Sequence, residues 1–203
     1  MDDLNFGSCL EGDEGLVLPV GVSGRHIHLS PEHLSKLFGQ GHELDPLKPL
    51  SQPGEFAAKE FVTLVGSRGF IEKVRVLGPI RERSQVEISL TDSFRLGVVP
   101  PVRLSGDLEG TPGIVVVGPR GLVELKEGVI LAARHIHMPK DLARRLNLQD
   151  RDLLKIKAGG PRAQIYERVI LRVRPHYVLE LHLDTDEANA GLLRTGDKVK
   201  LYH

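Results

Sequence analysis

A single cysteine, Cys9, stands among 203 residues. That excludes an internal disulfide and a cysteine-built zinc site within one chain, and it favours a reducing compartment. Tryptophan is absent and aromatics make up only 4%, so the core must rest on Val, Ile and Leu, which suits small, strand-rich domains. An excess of charge is missing too: Lys plus Arg and Asp plus Glu number 27 each. With no basic tract, the electrostatic footprint of a nucleic-acid binder is absent and no nucleic-acid partner is expected. No apolar run approaches the ~20 residues that span a membrane, so no membrane partner is expected either. Met1-Asp2-Asp3-Leu4-Asn5 lacks the basic and apolar regions of a signal peptide. Residues 1–17 are expected to form a flexible acidic tail, and the chain to work in the cytoplasm. Also lacking are a phosphate-cradling GxxxxGK[ST], a GxGxxG after a strand, a GxSxG elbow and an HExxH pair. Covalent catalysis therefore has no obvious candidate.

What is present is a duplication. Arg25-His26-Ile27-His28 recurs as Arg134-His135-Ile136-His137, and the flanks agree. Short apolar runs, Val20-Gly21-Val22 and Val129-Ile130-Leu131, precede the two pairs and read as buried strands. Pro31 and Pro139 follow them, each placed to start a short helix, where a missing N–H costs nothing. Ser30 suits the N-cap of the first helix and Gly39 its end. Strands are expected over 61–65, 71–77 and 85–90 in the first half, and over 153–157, 169–173, 177–183 and 199–201 in the second. Acidic turns at 91–93 and 184–187 end each set. Loops are expected over 39–55 and 104–120, where proline and glycine are dense. The expected fold is mainly β (α+β): two similar small β-barrels, each capped by a short helix. A tail at 1–17 would precede a first barrel domain at 18–110 and a second at 111–203.

Side chains at i and i+2 of a strand share a face, so His26 and His28 converge, as do His135 and His137. One such pair is commonly a solvated or hydrogen-bonded surface pair. Two pairs at matched positions of a repeat point to metal, for which imidazole is a frequent nitrogen ligand. Four histidines suit either one four-coordinate site or two metals that need further ligands. Glu87 and His182, polar residues in apolar late strands, are candidates for the extra positions; the plain alternative is an outward face on a half-exposed strand. His33, His42, His176 and His203 have no partner at ligand spacing. Arg25 and Arg134 should point away from the paired histidines. Arg81 and Arg83 precede the Glu87 strand, where a guanidinium near a metal would favour phosphate or carboxylate; the alternative is an ordinary exposed loop arginine.

With the doubled Arg-His-Ile-His, the segments 22–29, 76–81, 85–89, 111–114 and 133–138, and the terminal stretch from Glu180 to Ala190, the chain resembles the PduL family of phosphate propanoyltransferases. The resemblance runs from about residue 18 to the C-terminus. It implies two helix-capped barrels with a dinuclear zinc site between them, two ions per chain. It implies that His26 and His28 bind one zinc, which also meets the coenzyme A sulfur, and that Glu87, His135, His137 and His182 bind the other. Arg81 matches the family's phosphate-handling arginine. The implied reaction is metal-assisted direct phosphorolysis, interconverting a short acyl-CoA (acetyl or propanoyl) and inorganic phosphate with acyl-phosphate and coenzyme A. Rival readings from the same ligands are a dinuclear zinc hydrolase of phosphoesters or thioesters and a zinc-clamped double barrel without catalysis. A homodimer is expected. Family members of propanediol-utilising microcompartments often carry an amphipathic N-terminal helix, a pattern that the acidic start does not match.

Overall fold

The computed structural model describes residues 15–202. Most of the expected tail lies outside them. The strands in chain order are β1 (Val17–Ser23), β2 (His26–His28), β3 (Pro46–Pro49), β4 (Phe56–Val65), β5 (Phe70–Gly78), β6 (Gln85–Glu87), β7 (Val102–Arg103) and β8 (Ile114–Val117). They continue as β9 (Leu122–Leu125), β10 (Val129–Ala132), β11 (His135–Pro139), β12 (Leu153–Ala158), β13 (Gln164–Arg174), β14 (Glu180–Asp184) and β15 (Lys198–Tyr202). The helices are α1 (Pro31–Phe38), α2 (Leu90–Leu96), α3 (Lys140–Arg145) and α4 (Thr185–Ala190). The protein is mainly β with short helices, as the alternating Val, Ile and Leu runs lead one to expect.

Contacts divide the chain at Ser23/Gly24 and Ala133/Arg134, not at 110/111. One unit is the continuous stretch 24–133. Its nine strands form one sheet in the order β7-β10-β6-β2-β5-β4-β8-β9, with β3 paired to β4. The other unit joins the chain up to Ser23 to everything from Arg134 onward. It is a closed barrel in the order β1-β14-β11-β13-β12-β15. The physical reason for the difference is strand pairing. β1 bonds to β14 and β15, while β10 bonds to β6 and β7. The apolar strand before each His-x-His therefore pairs outside the repeat that carries it in sequence.

The duplication is written into the register of each unit. β2 runs parallel to β5 and antiparallel to β6, placing His26 opposite Glu87 and His28 opposite Gln85. β11 runs parallel to β13 and antiparallel to β14, placing His135 opposite His182 and His137 opposite Glu180. Alternation sends Ile27 into a core with Val62, Leu64, Val74, Val76 and Val86. Ile136 and Met138 enter a separate core with Leu18, Val20, Ile156, Leu171 and Leu181. In both units the histidines take the opposite face of their strand. Both units also carry a register shift in the long hairpin, beside Lys73 (φ 55°) and Arg168 (φ 55°). A bulge there turns the strand and restarts its alternation.

Five local expectations change. Pro139 ends β11 as the N-cap of α3 rather than opening the helix, and it offers no side-chain cap. The acidic segments read as turns are helix starts. Ser89 and Asp92 form a capping box on α2, and Asp184 accepts from Glu187 N on α4. The loop at 39–55 contains β3, and the one at 104–120 contains β8. Among the described residues no helix is long and apolar enough to cross a membrane.

Candidate metal centres

In the unit of residues 24–133, His26, His28 and Glu87 bring one ligand atom each within 4.8 Å of the others. All three lie on the short neighbouring strands β2 and β6. His26 is oriented by its Nδ1–H, which donates to the Gly24 carbonyl at 2.8 Å. In the neutral ring that bond leaves the lone pair on Nε2, and in the protonated ring the Nε2–H faces Glu87 Oε2, 3.5 Å away. Burial pushes the His26 imidazolium down, but the Glu87 charge and hydrogen bond and the Gly24 carbonyl raise it by more, against Arg81. His28 is pushed down to about 3 by burial, with His26 and Arg81 adding to the effect. It is therefore a neutral imidazole, the form that binds metal.

In the barrel unit, His135, His137 and His182 likewise bring one ligand atom each within 4.8 Å of the others. The His135 and His182 rings stack with centroids 5.0 Å apart, and Tyr177 stacks on His137 at 4.2 Å. Burial lowers the His137 pKa to about 2, with the charges of His135, His182 and Arg172 adding to it.

Both groups fit a metal ion. Nδ1 of His28 and Nδ1 of His137 are buried without any hydrogen-bond partner, a cost that proteins seldom leave uncompensated. Two imidazoles with a carboxylate, or three imidazoles, are donor sets that zinc accepts, and three protein ligands leave a position open for substrate.

The six residues expected to bind metal thus fall into two triplets. Glu87 sits with His26 and His28, not in the set with His135, His137 and His182 that the resemblance implied; antiparallel pairing of β2 with β6 makes it the cross-strand neighbour of His26. Arg81 is close enough for its charge to act on both His26 and His28. Its Nη1 donates to Ser105 Oγ at 2.8 Å, and Glu55 lies 3.8 Å from Nη2. Arg83 pairs with Glu127 instead. Arg25 grips Asp92 through two nitrogens at 2.8 Å. Arg134 meets Glu187 at 3.1 Å. Each of these two arginines ties the start of a histidine strand to the helix that follows the Glu87 or His182 strand. His33 bonds to Ser84 and His42 to Glu60. His203 lies outside the described residues.

Gln85, Ser105, Arg172, Tyr177 and Glu180 also belong to these surroundings and were not singled out from the sequence. Arg172 Nη1 stands 3.5 Å from His137 Nε2. Gln85 and Glu180 had a signal: each stands two places before a candidate ligand, on the same face of a strand. Ser105 lies in a loop, where no period marks it; Tyr177, at the head of the strand expected over 177–183, lies in the loop before β14, which begins only at Glu180.

The phosphate propanoyltransferase family model matches residues 19–194. A phosphate propanoyltransferase of Thermotoga maritima is 58% identical over 192 residues, covering 94% of this chain and 90% of the relative. One from Priestia megaterium is 53% identical over 89% of this chain and 83% of the relative. One from Rhodopseudomonas palustris is 48% identical over 95% of this chain and 86% of the relative. By extent and identity, the chain belongs to the phosphate propanoyltransferase family.

Proposed function

We propose that this protein transfers a short acyl group, acetyl or propanoyl, between coenzyme A and inorganic phosphate, using two zinc ions per chain. One ion is assigned to His26, His28 and Glu87, the other to His135, His137 and His182. The observation that carries the assignment is the matched pair of triplets, with a buried and unpartnered imidazole nitrogen in each. Family membership supports the acyl transfer.

Zinc in these positions would supply Lewis acidity toward developing negative charge and a good partner for sulfur. The protein's own part is binding and orientation. Arg81 is assigned to phosphate, because a planar guanidinium anchored at Nη1 by Ser105 holds a fixed direction and complements a tetrahedral oxyanion. His28 and His137 stay neutral well below physiological pH, so no proton competes for their nitrogens. In the reaction a phosphate oxygen bonds to the thioester carbonyl carbon, the carbon–sulfur bond breaks, and the phosphate proton ends on the coenzyme A thiol. Holding both reactants in register is worth up to about 7–11 kcal/mol of barrier. The expected homodimer and the cytoplasmic or microcompartment setting belong to the same reading; light scattering after size exclusion tests the first.

The direct test follows thiol release from acetyl-CoA or propanoyl-CoA as phosphate is added, with and without a zinc chelator. Release that needs phosphate and stops after chelation is expected. Release indifferent to phosphate would mean a hydrolase, and no release with either substrate would leave the metal groups without this chemistry.

A further inference from the structure

The residue two places before each candidate ligand on β6 and β14 differs between the units, and the difference follows the chemistry of the ligand. In the unit of residues 24–133 this residue is Gln85, which is 1% exposed. Its Nε2 donates to Glu87 Oε1 at 2.6 Å and to Ser105 Oγ at 2.8 Å. Its Oε1 accepts from Gly106 N at 2.7 Å. A backbone N–H can only donate, so the Gly106 bond fixes which end of the amide is oxygen and leaves the nitrogen for the carboxylate. One Glu87 oxygen is thereby held, and the other, Oε2, is the one beside His26. Ser105 Oγ also accepts from Arg81 Nη1, so one buried amide braces both a candidate ligand and the arginine assigned to phosphate.

In the barrel unit the corresponding residue is Glu180, 7% exposed. It occupies the register position opposite His137 that Gln85 occupies opposite His28. Its Oε2 lies 2.9 Å from His182 Nε2, within hydrogen-bond distance although the N–H is not aligned on it. Gly21 makes room for this carboxylate: a Cβ there would stand 2.8 Å from Glu180 Cδ. A carboxylate ligand needs a donor beside it, and an imidazole ligand needs an acceptor for its second nitrogen. The two units supply an amide in the first case and a carboxylate in the second.

We propose that Gln85 and Glu180 are matched positioning residues, Gln85 holding Glu87 and, through Ser105, Arg81, and Glu180 holding His182. This rests on the reading of the two triplets as zinc sites. The test is zinc affinity of the full chain, read by competition with a chromophoric chelator alongside zinc content by elemental analysis. Gln85→Glu, which sets a carboxylate against Glu87, should weaken one of the two sites by about 10–100-fold, and Glu180→Leu should do the same to the other. Glu180→Gln keeps an acceptor oxygen and should retain most of the affinity. The double variant Gln85→Glu with Glu87→His recreates the arrangement of the barrel unit, and should bind zinc at least about tenfold more tightly than Glu87→His alone. A merely structural Gln85 gives no such rescue, and Glu180→Leu carries the test should Gln85→Glu not fold. Wild-type protein without zinc would sink the metal reading and this inference together. Two zinc ions in the wild type, with unchanged affinity in Gln85→Glu and Glu180→Leu or with no rescue in the double variant, would overturn this inference alone.

Discussion

His28 and His137 each carry a ring nitrogen that is buried and unpaired. Removing either imidazole should cost metal before it costs fold. On the proposed assignment the wild type should hold two zinc ions per chain and His137→Ala one, measured by elemental analysis after dialysis; full retention would contradict the ligand set. Arg81→Ala should lower kcat/KM by about 100–1,000-fold, the usual cost of losing one aimed donor to developing charge. Its melting midpoint should stay near that of the wild type, since the side chain is about one-third exposed. Lysine at the same position keeps the charge but not the fork, so Arg81→Lys should recover only part of the loss. The pH dependence of the zinc-free protein follows from the same histidines. Folded His28 and His137 titrate at about 3 and about 2, whereas unfolded imidazoles titrate near 6.5. Between those values the unfolded chain binds more protons, so stability falls as pH falls below about 6.5 and continues to fall toward about 3. His26, raised by Glu87 and Gly24, works in the opposite direction, favouring the fold at low pH. His33, also lowered by burial, adds to the fall, while Asp184 and Glu187, raised by burial, oppose it. The large shifts of His28 and His137 decide the sign, to be seen as a lower melting midpoint at pH 4.5 than at pH 7.5 in chelated protein.

At the scale of elements, the short helices are held by their first turns. Ser89 and Asp92 cap α2 reciprocally, and Arg25 adds an ion pair to the same carboxylate. Ser89→Ala should cost about 1 kcal/mol, read from chemical denaturation, and leave zinc content unchanged. β1 matters to the barrel triplet through one glycine. Gly21 pairs in register with His182, and a Cβ would press on the end of the Glu180 side chain. That end is flexible enough to yield, so Gly21→Ala should change the melting midpoint little while weakening zinc binding at the site proposed for His135, His137 and His182. Equal zinc affinity in this variant and the wild type would show that Glu180 can move without consequence. The strand cores were legible from alternation at 61–65, 71–77, 153–157 and 169–173, because one face of each strand packs on aliphatic neighbours. Helices α2 and α4 were not, because six or seven residues carry too little period to separate a helix from an acidic turn.

For the whole molecule, the decisive feature is where the chain crosses between units. β1 lies between β14 and β15 and closes the barrel, though some 110 residues separate it from β11 in sequence. Deleting the chain through Ser23 should therefore expose two unpaired edges. Amides of Glu180–Asp184 and Lys198–Tyr202 should lose their protection in hydrogen exchange, while those of Phe56–Val65 and Phe70–Gly78, in the other unit, should keep theirs. Protection retained in β14 and β15 would mean that the barrel closes without β1.

The sequence by itself determined the mainly β class, the duplication, the two His-x-His pairs and the resemblance that places the family. These rest on local facts: composition, a repeated tetrapeptide, and side chains that share a face at a spacing of two. Tertiary structure alone decided which strands belong together, and with them the division at Ser23/Gly24 and Ala133/Arg134 rather than at 110/111. It also decided that Glu87 accompanies His26 and His28, and that Gln85, Ser105, Glu180 and Arg172 stand around the candidate ligands. The reason is physical. A strand's sequence states which face is buried, but not which other strand supplies its hydrogen bonds, and cross-strand neighbours exist only once that pairing is made.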